Sequence, residues 1–183
     1  MKRFAALLLA VIMCLGMIGT AWAEPVMEEA TDVWVLEKVG EKDGFTYFET
    51  EIPCEVWRVD EFSRSGQRAV VPATAYFQTA VNKTQGKIAL TITITSNQGR
   101  IKEAVCPAAI ARGDMGSANL VDLSAKNLIA KPTIYINGMF DGLEKNVNTG
   151  EVRISVSAGT FSGPNGLQGY FAGGRSTIDL SSF

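Results

Sequence analysis

Residues 88–95 alternate strictly between large aliphatic and small side chains. The aliphatic positions are Ile88, Leu90, Ile92 and Ile94. The positions between them hold alanine or threonine. A period of two residues, with β-branched side chains on both faces, is typical of a β-strand with one face against a hydrophobic core. A strand of this kind needs a second layer of structure to cover its apolar face.

Similar short runs recur along the chain and are separated by Gly, Asn, Asp and Pro. Residues 33–38 and 45–52 predict a hairpin with its turn in 40–44, because both runs are rich in aromatic and β-branched residues. We expect residues 97–100 to turn the strand 88–95 toward a partner strand. Strands are also predicted at 55–59, 101–106, 133–137, 151–157 and 176–180. The pattern indicates an all-β fold, either an antiparallel β-sandwich or a small barrel of about eight short strands.

Residues 107–130 lack sustained alternation. Leu120, Leu123, Asn127 and Leu128 recur at roughly helical intervals. Residues 117–129 are therefore predicted to form either a short helix or a long crossing loop, and the spacing does not separate the two. The Gly-rich segment 159–174 is predicted to be rich in turns or bulges.

The N-terminus has the pattern of a cleavable signal peptide. Lys2 and Arg3 precede an uncharged apolar run, and Ala21-Trp22-Ala23 places small residues before Glu24. We predict a signal peptide over 1–23, a flexible leader over 24–30 and a single β domain over 31–183. The protein is expected to be secreted, extracellular or associated with the cell envelope. We interpret the leader as bacterial, although a eukaryotic secretory signal has the same features.

Removal of residues 1–23 leaves 160 residues with 15 basic and 19 acidic side chains, a net charge of −4. This mild acidity gives no electrostatic attraction to nucleic acid or to an anionic membrane surface. No segment after the leader is apolar enough to span a membrane. We therefore expect no nucleic-acid partner and no membrane span after cleavage.

Cys14 leaves with the leader, so that Cys54 and Cys106 remain. An even pair of cysteines in an exported chain predicts a disulfide between them. The alternative is two unpaired cysteines that pack as small hydrophobic residues.

The chain contains no histidine. This excludes Ser-His-Asp and Cys-His catalysis and removes the commonest metal ligand. An enzyme that uses two carboxylates remains open, because glycoside hydrolysis needs only two acids at the right separation. The candidate acids are Glu49, Glu51, Glu55, Asp60, Glu61, Glu103, Asp141, Glu144 and Glu151. Nothing in the sequence selects a pair, and charged side chains are mostly solvated.

Residues 137–148 concentrate Asn, Asp and Glu, which are oxygen ligands of the kind that Ca²⁺ binds. They lack the spacing of an EF-hand loop, and turns favour Asn and Asp for backbone reasons alone. The Gly-rich stretches lack the lysine of a phosphate-binding loop. We therefore predict neither a metal nor a cofactor.

Aromatic residues give the remaining functional lead. Tyr47, Tyr76 and Tyr170 each stand next to a phenylalanine, and strand alternation would direct one ring of each pair inward and the other outward. The alternative is that a second layer covers the outer face, so that these rings are part of the core. Exposed rings on a sheet suit stacking against sugars or anchoring a protein partner. The predicted binding residues are Trp57, Tyr47, Tyr76 and Tyr170.

These features favour a non-catalytic β-sandwich module, secreted or on the cell surface, with a protein or glycan ligand or a structural role. One alternative is a small secreted carboxylate enzyme acting on polysaccharide or cell wall. Another is an inhibitor of an extracellular enzyme that presents a rigid loop at 159–169.

Overall fold

The computed structural model describes residues 32–59, 68–70, 72–97 and 99–183. The predicted signal peptide 1–23 and leader 24–30 lie outside the described residues. The described part of the chain contains no helix with the length and apolarity needed to cross a membrane.

The described residues form thirteen β-strands and one 3-10 turn, Leu180–Ser182. The strands are β1 (Glu37–Lys42), β2 (Phe45–Ile52), β3 (Cys54–Val59), β4 (Arg68–Val70), β5 (Ala73–Asn82), β6 (Lys87–Ser96), β7 (Ile101–Gly113), β8 (Gly116–Lys131), β9 (Thr133–Phe140), β10 (Glu151–Val156), β11 (Gly159–Ser162), β12 (Leu167–Phe171) and β13 (Gly174–Asp179). The predicted all-β class is confirmed, whereas the expected number of about eight strands is too low.

The strands form two antiparallel sheets that pack together as a sandwich. The smaller sheet has the order β1-β2-β5-β6-β9. The larger sheet has eight strands in the order β13-β10-β7-β11-β12-β3-β4, with β8 paired to β7. The aliphatic side chains of β6 are buried between the sheets, as the alternation predicts.

A hairpin forms between β1 and β2, but its first strand is Glu37–Lys42 and not 33–38. Every side chain of β1 is exposed, so this strand lacks the apolar alternation that placed it earlier. Residues 40–42 of the predicted turn belong to the strand. Asp43 and Gly44 connect the two strands with φ values of 54° and 78°. An Asp-Gly pair with both φ values positive is what a two-residue hairpin turn favours.

Two of the points at which the chain passes between the sheets are prolines. Pro53 separates β2 from β3, and Pro132 separates β8 from β9. Proline has no N–H to donate to a ladder, which suits it to the point where a strand leaves one sheet. The expectation that β6 turns back to pair with residues 101–106 is wrong, because those residues belong to β7 in the other sheet.

Two strands of the larger sheet are interrupted halfway along their length. β10 and β11 lie along the same side of β7, and the pairs Val156–Ala109 and Thr160–Val105 continue one register across the gap. β13 and β12 likewise continue one register along β10 and β11. Each pair of short strands is therefore one long strand with a break in its middle.

At these breaks the strands change which alternate side chains face the core. Buried positions in the first long strand end at Val156 and resume at Gly159, a step of three residues instead of two. In the second long strand, formed by β12 and β13, the same three-residue step separates Phe171 from Gly174. The residues on either side of each break therefore still direct their apolar side chains inward.

β7 and β8 also change which alternate side chains face the core, and they do so opposite the breaks in the two long strands. In β7 the buried positions step from Cys106 to Ala109, and in β8 the inward-facing leucines Leu120 and Leu123 lie opposite them. Asp122, with φ 53°, lies at the change in β8. Because neighbouring strands change together, the sheet can bend along this row while its inner face stays apolar.

The expectation of a helix or crossing loop at 117–129 is wrong, because these residues belong to the strand β8. The face change next to Asp122 spaces Leu120 and Leu123 three residues apart. A second irregularity between β7 and β8 falls where residues 127–130 lie opposite Lys102. These two irregularities convert a two-residue period into a spacing that resembles a helix.

Glycines in the segment 159–174 make room for aromatic rings. Gly159 pairs with Phe171, and Gly169 pairs with Phe161. A Cβ at either glycine would overlap the ring of its partner. A phenylalanine that covers a cross-strand glycine supplies the apolar contact that glycine lacks.

The predicted disulfide does not form, because Cys54 and Cys106 are both free. Cys54 lies in β3 and Cys106 lies in β7, with β12 and β11 between them. Three strand spacings separate the two cysteines by about 14 Å. A disulfide requires Cα atoms within about 7 Å of each other. The alternative of two unpaired cysteines describes the structure.

Ser157 bonds to the neighbouring strand at the break between β10 and β11. Its backbone N–H donates to the carbonyl of Ala108 at 3.0 Å. Its hydroxyl accepts from the Ala108 N–H and donates to the Ala108 carbonyl, each at 2.9 Å. One side chain therefore satisfies the backbone where the ladder is interrupted.

We predict that Ser157→Ala lowers the free energy of unfolding by about 1–3 kcal/mol, because it leaves the Ala108 N–H without its acceptor. Urea unfolding followed by circular dichroism measures the change. Ser155→Ala, in β10 on the same long strand, is the matched control and is expected to change stability by less than about 0.5 kcal/mol. Equal losses in both variants would contradict the role of Ser157.

Burial raises the pKa of the Cys54 thiol to about 11. Since the thiolate is the species that reacts with iodoacetamide, we predict that Cys54 of the folded protein is alkylated about 100-fold more slowly at pH 8 than in the unfolded chain. The rate should keep rising with pH toward about 11. Mass spectrometry of the Cys54 peptide follows the reaction. Absence of free thiol at this position would instead show a disulfide.

Candidate functional site

Trp57 and Tyr170 lie side by side on the outer face of the larger sheet. Trp57 is in β3 and Tyr170 is in β12, and the pairs Trp57–Gln168 and Glu55–Tyr170 place the two rings diagonally across the strands. Their ring centroids are 6.1 Å apart, and their planes are inclined at 58°. Tyr170 is 38% exposed and Trp57 is half-buried.

Polar side chains surround the two rings. Thr160 lies opposite Tyr170, and Ser162 lies opposite Gln168, so that two hydroxyls and an amide continue the same outer face. Together these residues line a depression of about 530 Å³. We call the set Trp57, Thr160, Ser162, Gln168 and Tyr170 the Trp57–Tyr170 face.

The strands orient these side chains through the glycine–phenylalanine pairs beneath them. Gly159, Phe161, Gly169 and Phe171 point into the core. Strand alternation then directs Thr160, Ser162, Gln168 and Tyr170 outward. The buried aromatic contacts thus fix the positions of the exposed polar groups.

Two carboxylates lie at the edges of the face, and each has a partner. Glu55 accepts a hydrogen bond from the Tyr170 hydroxyl, which raises the pKa of Tyr170 because ionisation would remove the shared proton. Glu103 lies 2.5 Å from the Lys126 ammonium group. The hydrogen bond and the positive charge of Lys126 lower the pKa of Glu103.

These carboxylates do not form a catalytic pair. Glu55 in β3 and Glu103 in β7 are separated by three strand spacings, about 14 Å or more. Retaining and inverting glycosidases hold their two carboxyl groups about 5–10 Å apart. A general acid also needs a raised pKa, whereas Lys126 lowers that of Glu103.

Within the ranges that the structure describes, no three cysteine or acidic side chains converge in a way that could hold a metal ion. Two of the nine candidate acids, Asp60 and Glu61, lie outside the described residues.

The four predicted binding residues divide between the two sheets. The structure brings Trp57 and Tyr170 together, whereas Tyr47 and Tyr76 lie in β2 and β5 of the smaller sheet. Tyr47 is 37% exposed and contacts the ring of Phe45, with centroids 6.4 Å apart. Tyr76 is half-buried. The outer faces of the two sheets point in opposite directions, so these tyrosines belong to a separate surface.

Three residues of the Trp57–Tyr170 face were not predicted from the sequence: Thr160, Ser162 and Gln168. The alternation Gly159-Thr160-Phe161-Ser162 is a strand signal that would have placed Thr160 and Ser162 on one side. That they lie beside Trp57 follows from the register of β3, β12 and β11, which the sequence pattern does not specify.

Residues 159–169 form β11 and the first part of β12, joined by a short turn. The Gly163 N–H donates to the Leu167 carbonyl at 2.9 Å and closes this turn. Both strands are paired inside the sheet. This segment is a tight hairpin within the larger sheet.

No protein-family model matches the sequence, and no curated protein matches it either. Function is therefore inferred from the side chains of the face and their surroundings. Their chemistry combines two adjacent rings with hydroxyl and amide groups in a shallow depression.

We predict that Glu55→Gln lowers the pKa of Tyr170 toward the ordinary tyrosine value of about 10, because the negative charge that opposes ionisation is removed. Ultraviolet absorbance of the phenolate during a pH titration measures the change. Glu103→Gln, at the far edge of the face, should leave the tyrosine titration as it is in the wild type. A titration unchanged by Glu55→Gln would mean that this carboxylate does not control Tyr170.

Proposed function

We propose that this protein is a non-catalytic glycan-binding module and that its ligand lies on the Trp57–Tyr170 face. The observation that carries the proposal is the adjacency of the two rings, 6.1 Å between centroids, on an outer sheet face lined by hydroxyl and amide groups.

A sugar presents apolar C–H groups on the faces of its ring and hydroxyls around the edge. Trp57 and Tyr170 supply apolar surface for the ring faces. The Tyr170 hydroxyl donates to Glu55, which fixes the position of the ring. Thr160, Ser162 and Gln168 supply donors and acceptors for the sugar hydroxyls. Binding pockets typically combine apolar walls with a few such polar groups.

The shape of the depression favours binding over catalysis. A shallow face exposes its ligand to water, whereas catalytic sites usually exclude it. The carboxylates at its two edges are too far apart to act on one glycosidic bond, as described above. A ligand in this face would therefore be held and released unchanged.

The predicted signal peptide is consistent with a glycan partner outside the cytoplasm. We propose that the domain is exported and acts in the extracellular space or at the cell envelope, where polysaccharide is exposed. Sequencing the N-terminus of the protein recovered from cells that express the full chain tests this part. A mature N-terminus at Glu24 is expected, and an intact Met1 would contradict export by cleavage.

We predict that Trp57→Ala and Tyr170→Ala each weaken binding to a glycan at least about tenfold, or about 1.4 kcal/mol, because each removes stacking surface. The glycan is first selected with the wild-type protein on a panel of plant, microbial and animal polysaccharides. Calorimetry with the selected oligosaccharide then gives the dissociation constants.

Tyr47→Ala, on the opposite sheet, is the matched control and should bind like the wild type. Because Trp57 is half-buried, Gln168→Ala serves as a second test that removes only an exposed amide. Circular dichroism verifies that each variant is folded. Absence of binding across the panel, or equal weakening by Tyr47→Ala, would exclude this face as a glycan site.

A further inference from the structure

The exposed side chains of β8 include two large aliphatic residues in sequence. Leu128 is 95% exposed and Ile129 is 73% exposed. Elsewhere in β8, Leu120 and Leu123 pack against the core. Leu128 and Ile129 are directed away from the core because they lie in a bulge, residues 127–130, that has no ladder partners in β7.

Hydrogen bonds hold this bulge in place. The Asn127 side-chain amide donates to the carbonyls of Ile101 and Thr133 at 3.0 and 3.2 Å. The Lys102 ammonium donates to the Leu128 carbonyl at 2.5 Å, and the Arg100 guanidinium donates to the Ala130 carbonyl at 3.4 Å. The two aliphatic side chains are therefore presented by an anchored backbone.

Basic residues surround the bulge. The segments 99–104 and 126–133 lie together at this end of β7 and β8 and contain four basic residues and one acid. The acid is Glu103, which forms an ion pair with Lys126. Arg100, Lys102 and Lys131 remain as net positive charge beside Leu128 and Ile129. The surface around the bulge is therefore basic, although the net charge of the whole chain is negative.

We propose that this bulge, with Leu128 and Ile129 at its tip, is a membrane-contact site for anionic phospholipid. The two side chains enter the interface below the lipid headgroups, and Arg100, Lys102 and Lys131 contact the phosphates. Aliphatic side chains ringed by cations match a surface that has negative charge above hydrocarbon. The proposal departs from the expectation drawn from net charge, because the charge near the bulge is opposite in sign to that of the whole chain.

A lipid surface fits better than a folded protein partner. The apolar area offered is two adjacent side chains, whereas a stable protein interface buries about 800 Å² on each partner. A few inserted side chains together with several cations are sufficient for reversible attachment to a bilayer. The proposal does not depend on glycan binding, because the bulge lies outside the Trp57–Tyr170 face.

The test compares two double variants of the protein produced from the full chain. Leu128→Ser with Ile129→Ser removes the apolar tip, and Val35→Ser with Val39→Ser removes two exposed aliphatic residues elsewhere. Sedimentation with vesicles of phosphatidylcholine containing one quarter phosphatidylglycerol gives the partition coefficient. We expect at least a tenfold loss for the first variant, no loss for the second, and weaker binding of the wild type to pure phosphatidylcholine.

A fluorophore at the tip locates the contact even if residues 1–23 are retained and bind lipid themselves. In a background in which Cys14, Cys54 and Cys106 are all replaced by serine, Leu128→Cys labelled with a nitrobenzoxadiazole dye should shift its emission to shorter wavelength on anionic vesicles, and the same label at Val39→Cys should not. An unshifted label at position 128 would overturn the proposal. So would a wild-type dimer that Leu128→Ser with Ile129→Ser converts to a monomer, because a second copy would then cover the bulge.

Discussion

Alternate side chains of a β-strand face the core. If one strand changes which alternate residues face the core, its apolar side chains point to water unless its neighbours make the same change at the same row. In the larger sheet, four neighbouring strand lines shift their inward positions at the same row. The changes at Ala109, Leu123, Gly159 and Gly174 lie in adjacent strands and in matching register. Ser157 bonds to Ala108 at this row, where the regular ladder is interrupted.

The same shared change of face positions the proposed glycan site. Beyond the row, the side chains of Phe161 and Phe171 fill the core above Gly169 and Gly159, and the alternate positions of β11 and β12 face outward. β3 enters next to β12 through Pro53, which brings Trp57 beside Tyr170. The buried glycine–phenylalanine pairs therefore determine which side chains of β11 and β12 form the polar outer face beside the two rings. The bulge at 127–130 lies at the β8 edge of this sheet and presents a different, aliphatic and basic surface.

Local signals in the sequence were sufficient for part of the fold. The alternation of β6 predicted its strand correctly, because it depends on neighbouring residues only. The turn residues in 40–44 predicted that a hairpin forms, but its first strand, Glu37–Lys42, is exposed on both faces and was placed too early, at 33–38. The prediction of a helix or loop at 117–129 was wrong because β8 contains a face change and a bulge. These two irregularities interrupt the two-residue period within one strand. The disulfide was predicted from the expected export of the chain and its even number of remaining cysteines. The strand order places Cys54 and Cys106 too far apart to form it. Trp57 and Tyr170 were predicted to bind a ligand because they are aromatic. Their adjacency depends on strand register, which a single sequence does not specify.

The central claim is that the outer face of the larger sheet, and not that of the smaller one, is the ligand surface. Nuclear magnetic resonance of the labelled protein, titrated with an oligosaccharide that it binds, tests this directly. We expect the largest shifts at the Trp57 indole N–H, the Gln168 side-chain amide and the backbone of Thr160 and Tyr170. Shifts concentrated on the threonines of β6, with these signals unmoved, would contradict it.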